Sequence, residues 1–171
     1  MQPDQATFLL NIFLPALQRE QGTTKRVIAA IPADKGDFRP DEFARPAIEL
    51  AWHIAMVEMR FLDAVINAVF DLSPRPRPES MARATDIAAW YDTEFAMRAA
   101  AVAALSPEAL TKIVDFRGMF QLPAVMYLDF IRAHTIHHRG QLSTYLRPMG
   151  AKVPAIYGES YDSAQARSAA K

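Results

Sequence analysis

The stretch AHTIHHRGQLSTYLRPMG, Ala133 to Gly150, places three of the chain's four histidines within five residues. It reads as the end of a helix closed by Pro148 and Gly150, since proline cannot continue the hydrogen-bond ladder and glycine accepts the left-handed conformation that ends one. On such a helix, residues four apart differ by about 40° around the axis and about 6 Å along it, so His134 and His138 share a face. His137 lies about 60° to the other side of His134, which leaves His134–His138 and His134–His137 both sterically open as pairs. Two imidazoles on one helical face can reach one ion, yet zinc-like sites want three or four protein ligands. A third has to come from another element.

Working outward, three more segments carry helical periodicity. From Pro3 to Ile31, the residues Phe8, Ile12, Phe13, Leu17, Val27, Ile28 and Ile31 recur at three and four. Pro15 and Gly22 interrupt this segment and Pro32 stops it, which predicts a kinked first helix. Pro46 suits the first position of a second helix, whose stripe of Ile48, Trp52, Ala55, Met59, Leu62, Ile66 and Val69 ends before Ser73-Pro74. Thr85 is the expected N-cap of a third, with Ile87, Trp90, Tyr91, Phe95 and Val102 facing inward, and Ser106-Pro107 opens one further helical turn. Pro123 opens the fourth helix, which runs to about Leu146. Met56, Met59, Met97 and Met126 read as adaptable core filler.

The connectors fit a bundle. SPRPRPE, Ser73 to Glu79, predicts a stiff extended crossover of about 3.1 Å per residue. KIVDFRGMFQL, Lys112 to Leu122, alternates around Arg117-Gly118 and predicts a short hairpin. All three inter-helix connectors are long enough to leave parallel and antiparallel neighbours equally open. The tail SAQARSAAK, small and polar, predicts a frayed end or a loose turn. The reading is an all-α four-helix bundle, one domain over residues 1–171 with about 151–171 as a C-terminal tail.

Composition narrows the chemistry. A chain of 171 residues buries ~70% of its unfolded surface and needs no staple. There is no cysteine, so a ligand set must come from His, Asp, Glu or water. Nineteen basic and nineteen acidic residues cancel and are interspersed, without the basic stripe a phosphate backbone requires, so nucleic acid is not an expected partner. The apolar stretch ATFLLNIFLPAL lacks a basic flank and contains Pro15, fitting neither a signal peptide nor a membrane span. A cytoplasmic protein with no membrane partner is expected, and an apolar fraction of 51% makes a homodimer reasonable.

The fourth histidine, His53, lies on the buried side of the second helix in ELAWHIAMVEMRFL. A lone histidine there is ordinarily a core residue with one hydrogen bond. Facing His134 and His138 across one interior, however, each uncompensated imidazole costs a few kcal/mol, and one shared ion satisfies all three. Gln141 and Tyr145 extend the face of His138, as groups that orient a ligand or touch substrate, or as plain helix edge. Glu49, four before His53, is a candidate acceptor behind it or an exposed glutamate, and Arg139 points away as a surface or tail-binding residue.

Two blocks carry a resemblance: AIPADKGDFRPDEFARPAIELAWHIA around the second helix, and HTIHHRGQLSTYLRPMGAKVPAIYGES, with its H-x3-H, RGQ, YLR, VP and YG elements in order. With them the chain resembles the DinB/YfiT-like family of metalloenzymes. The resemblance implies an up-down-down-up bundle and a divalent ion, nickel or zinc, held by His53, His134 and His138, with His137 outside the ligand set. It also implies, from several relatives, transfer of a low-molecular-weight thiol such as mycothiol, bacillithiol or glutathione. Three protein ligands leave a position open, where an ion can lower the pKa of water or of a thiol. The expected function is therefore a metal-dependent thiol S-transferase or hydrolase acting on a small-molecule substrate. A non-catalytic bundle that uses metal for structure, storage or sensing is the alternative, and a metal-free bundle binding a hydrophobic ligand a third.

Overall fold

The computed structural model describes residues 1–169. Its elements in order are α1 (Pro3–Ala29), α2 (Ala47–Asn67), α3 (Ala84–Ala103), α4 (Pro107–Thr111), β1 (Ile113–Phe116), β2 (Phe120–Pro123), α5 (Met126–Leu146) and α6 (Tyr161–Ala169). The fold is all-α, a bundle of α1, α2, α3 and α5. Both α1 and α2 pack on α3 and α5, so the four form a ring with α1 and α2 on its diagonal. No described helix is long and apolar enough to cross a membrane.

Side-chain pairings set the helix directions. Trp52 meets Trp90, Glu58 meets Tyr91 and Asp63 meets Arg98, so α2 and α3 run parallel. His53 meets His138, Glu58 meets Thr135 and Phe61 meets Phe130, so α2 and α5 run antiparallel. The loop after α1 enters α2 at the end where α5 finishes, with Phe38 edge-on to Tyr145 at 6.0 Å. The order is up-down-down-up, and parallel α2 and α3 require a connection running back the full length of α2. The proline-rich segment is that connection. Arg60 donates to the Ser73 carbonyl at 2.6 Å, Trp52 Nε1 to the Arg75 carbonyl at 3.0 Å, and Arg77 reaches Glu49 at 2.8 Å. Pro74, Pro76 and Pro78 have no N–H to satisfy and a fixed φ, which suits a strand-like strap without a partner strand.

The core is built from the inner stripes of the four helices, with Leu17, Ile28, Leu50, Ile54, Leu62, Ile87, Tyr91, Tyr127 and Leu128 fully buried. Each aliphatic member contributes roughly 1.5–3 kcal/mol relative to exposure. On α1 the inward stripe differs from the expected one: Ala6, Leu10 and Leu14 are buried, whereas Phe8 and Ile12 are 65% and 46% exposed. ATFLLNIFLPAL is apolar all round, so its own periodicity leaves the facing side open, and the buried Gln21 and Thr24 further along α1 mark the face chosen. Pro15 sits inside a continuous helix on its exposed side. Met97 is also 55% exposed and fills no core, unlike the buried Met59.

Helix ends correct three expectations. Pro46 precedes α2 as its N-cap. Thr85 lies inside α3, whose N-cap is Arg83, its N–H donating to Asp86 Oδ2 at 3.0 Å. Pro123 closes β2, and α5 starts three residues later at Met126. The Ser106-Pro107 turn forms as α4, with Ser106 Oγ accepting from Ala109 N at 3.2 Å. The hairpin also forms, Phe116 opposite Phe120, around Arg117 and Gly118 at φ 59° and 67°, the left-handed pair that tight hairpins use. The tail is more ordered than expected: α6 covers Tyr161–Ala169, and only 170–171 fall outside the described residues. Arg147 and Val153 N both donate to Asp162 at 2.9 Å, fastening it to the end of α5.

Candidate metal site

Because α2 and α5 are antiparallel neighbours, His53 comes level with the His134–His138 turn. Ring centroids lie 5.2 Å apart for His53–His134, 4.7 Å for His53–His138 and 4.4 Å for His134–His138. One nitrogen from each ring lies within 4.8 Å of the others, a grouping that could hold a metal ion. All three side chains are half-buried. His137 is exposed, its ring 4.8 Å from that of His138, and it is not part of the grouping. The i, i+4 pair, and not the i, i+3 pair, faces His53.

The electrostatics keep these imidazoles neutral. Burial first, then Arg45 and the two other rings, push His53 down to about 3. Burial and the neighbouring His138 and His137 lower His134 to about 4. His138 is also lowered, chiefly by burial, against its contact with Gln141. At neutral pH each ring therefore offers a lone pair, as a metal ligand must. His138 Nδ1 is 3.0 Å from Gln141 Oε1. The amide oxygen can only accept, so Nδ1 carries the proton and Nε2 is the free donor atom. His134 Nδ1 is buried with no hydrogen-bond partner among the described residues, the orphan that an ion or a water would satisfy. This donor set fits a borderline divalent ion such as zinc or nickel. Beside it lies a cavity of about 300 Å³ lined by His53, His134, Met56, Phe61 and Phe130.

The model of the DinB family matches residues 5–169. The chain belongs to the DinB family. Two crystal structures of DinB-like proteins share its fold. That from Bacillus cereus superposes with a TM-score of 0.71 at 24% identity, covering 85% of this chain and 95% of the other. That from Bacillus subtilis gives 0.69 at 20% identity, covering 86% and 99%. No curated protein matches the chain significantly.

Within this DinB bundle the other sequence candidates separate. Gln141 touches His138 as expected. Tyr145 packs its ring against Phe38, and its buried hydroxyl has no partner among the described residues. Glu49 pairs with Arg77 instead of backing His53. Of the two readings of Arg139 the tail-binding one holds and the surface one does not: it is 1% exposed and donates to the tail's Tyr157 hydroxyl at 2.7 Å and to Glu20 Oε2 at 2.5 Å. The bundle buries this guanidinium because α1 supplies a carboxylate, a partner that α5's own sequence does not reveal. The sequence reading also missed Glu58, wholly buried, which accepts from Tyr91 at 3.0 Å and Thr135 at 2.6 Å. One signal existed: Glu58 sits four residues after Ile54 and four before Leu62, an acid within the apolar stripe of α2. Arg60 and Arg117, which line the cavity, had none.

Proposed function

We propose that this chain is a metal-dependent enzyme in which His53, His134 and His138 hold one divalent ion, zinc or nickel, and which transfers a low-molecular-weight thiol to a small-molecule electrophile. The observation that carries this reading is the triad itself: three neutral, half-buried imidazoles from two helices, one with an orphaned nitrogen, opening on a cavity. An ion bound there would act as a Lewis acid and favour the thiolate of a bound thiol at neutral pH. The chain has no cysteine, so the sulfur would be the co-substrate's. Gln141 holds the His138 ring in one tautomer, and the apolar wall of Met56, Phe61 and Phe130 keeps water from a reactive sulfur. Within this reading the chain acts as a single cytoplasmic domain and as a homodimer, supported by the exposed Phe8 and Ile12 one turn apart on α1; sedimentation of the full chain decides the dimer.

The test is a metal analysis with two rate panels. His53→Ala, His134→Ala and His138→Ala should each abolish stoichiometric binding while remaining folded, and His137→Ala should keep it. Loss in His137→Ala with retention in His138→Ala would move the site by one residue. Metal-loaded protein should accelerate conjugation of bacillithiol, mycothiol or glutathione to an electrophile, and His134→Ala should not. Turnover of esters, amides or lactones without any thiol would make it a hydrolase; bound metal with silence in both panels would make it a binding protein.

A further inference from the structure

The cavity beside the histidines is apolar on most of its wall, yet two guanidinium groups border it. Arg60 and Arg117 both line it, together with Phe61, Phe116, Phe130 and Leu72. Among the described residues neither arginine is within ion-pair distance of a carboxylate. The acids that might serve Arg60 are engaged elsewhere: Asp63 holds Arg75 and Arg98, and Asp71 holds Arg75 and the Ser73 N–H. Arg60 spends Nη2 on the Ser73 carbonyl at 2.6 Å, while its Nε is buried with no partner. Burial and the nearby Arg75 and Arg117 cations act against its charge, and the Asp71 carboxylate offsets them only in part. Arg117 sits in the hairpin turn at φ 59°, a conformation uncommon for a residue other than glycine, with its guanidinium 5.5 Å from the centre of the Phe116 ring. A buried, unpartnered guanidinium N–H carries a cost that an incoming oxyanion removes, and arginine's planar fork suits a carboxylate.

We infer that this pocket binds a small organic acid, its carboxylate held by Arg60 and Arg117 and its aromatic or branched apolar body packed on Phe61, Phe116 and Phe130 beside the histidines. About 300 Å³ is at the small end of ligand pockets and suits a single-ring acid. The aromatic wall supplies affinity and the two cations supply orientation, turning the far end of the acid toward His53 and His134. This deepens the metal-enzyme reading by naming the class of its substrate and rests on that reading for the chemistry, although the arginine pocket exists without the ion.

The probes are 4-phenylbutyrate, its amide 4-phenylbutanamide, and butyrate, titrated by calorimetry into the full-length protein both loaded with zinc and stripped by chelator. Phenylbutyrate should bind at least tenfold tighter than either the amide or butyrate in both forms. Arg60→Gln and Arg117→Gln should each lower phenylbutyrate affinity about tenfold and leave the amide unchanged. Equal affinity for acid and amide in the stripped protein, or indifference to both substitutions, overturns the inference even where zinc binds. Acid selectivity that survives in a protein unable to hold zinc upholds the pocket and sinks the metal reading instead. Should Arg60→Gln not fold, Arg117→Gln, on an exposed turn, decides alone.

Discussion

Two polar clusters lie side by side on α2 and α5, built on the same spacing and treated in opposite ways. His134 and His138 face His53, while Thr135 and Arg139, each one residue on and therefore about 100° round the helix, face the bundle interior with Glu58. In the interior cluster four helices and the tail answer one another. Tyr91 and Thr135 donate to Glu58, and Arg139 donates to Glu20, which also accepts from Tyr157 at 3.0 Å. In the histidine cluster the one hydrogen bond among the described residues is between His138 and Gln141, and the site opens on a cavity instead of a fourth helix. Burial of a charged or titratable group is thus a poor guide to function here. The more deeply buried cluster ties the helices together, and the half-open, under-partnered one is the cluster that could hold an ion.

The sharpest way to break this contrast is to remove the interior cation. Arg139→Met should cost roughly 3–5 kcal/mol, because Glu20 would be left as a poorly solvated charge without its partner. Urea unfolding measures this. The folded fraction should still bind metal stoichiometrically, and loss of metal at full stability would show the two clusters to be one.

A second, somewhat smaller effect follows from Glu58. Burial raises its pKa from 4.5 to about 7, against the two hydrogen bonds it accepts, and its Oε1 has no partner among the described residues. With the folded value above the unfolded one, the unfolded chain ionises first as pH rises. This contribution is therefore full below 4.5 and lost progressively up to about 7, a span worth roughly 3 kcal/mol. His53 and His134 are shifted the other way, to about 3 and about 4, so their terms grow as pH rises toward the ordinary imidazole range. Subtracting wild type from Glu58→Gln cancels that shared slope. In chelated protein the variant should gain about 3 kcal/mol on wild type between pH 4.5 and 7.5; a constant difference would mean that Glu58 ionises like an exposed glutamate.

The smallest effect sharpens the open cluster. Gln141→Ala frees the His138 ring to rotate and change tautomer, and should weaken metal affinity about 10–100-fold, or ~1.4–2.7 kcal/mol. Competition with a chromogenic chelator reads this directly, and melting of the metal-free protein should hardly move. An unchanged affinity would make the 3.0 Å contact incidental.

Much of this molecule was written along its helices. The i, i+4 spacing of His134 and His138, the placement of His53 on the inner side of α2, the proline crossover and the Arg117-Gly118 turn are local patterns, determined by helical geometry and by what proline and glycine permit, and the sequence alone determined them. Whether Phe8 or Leu10 faces inward on a helix apolar all round, whether Arg139 meets solvent or Glu20, and whether Arg60 finds an acid or a cavity depend on which residues of distant segments arrive opposite them. Those were decided only by the tertiary structure. A helix repeats its own faces at short range, whereas the satisfaction of a charge depends on partners brought together from far along the chain, 119 residues apart for Arg139 and Glu20.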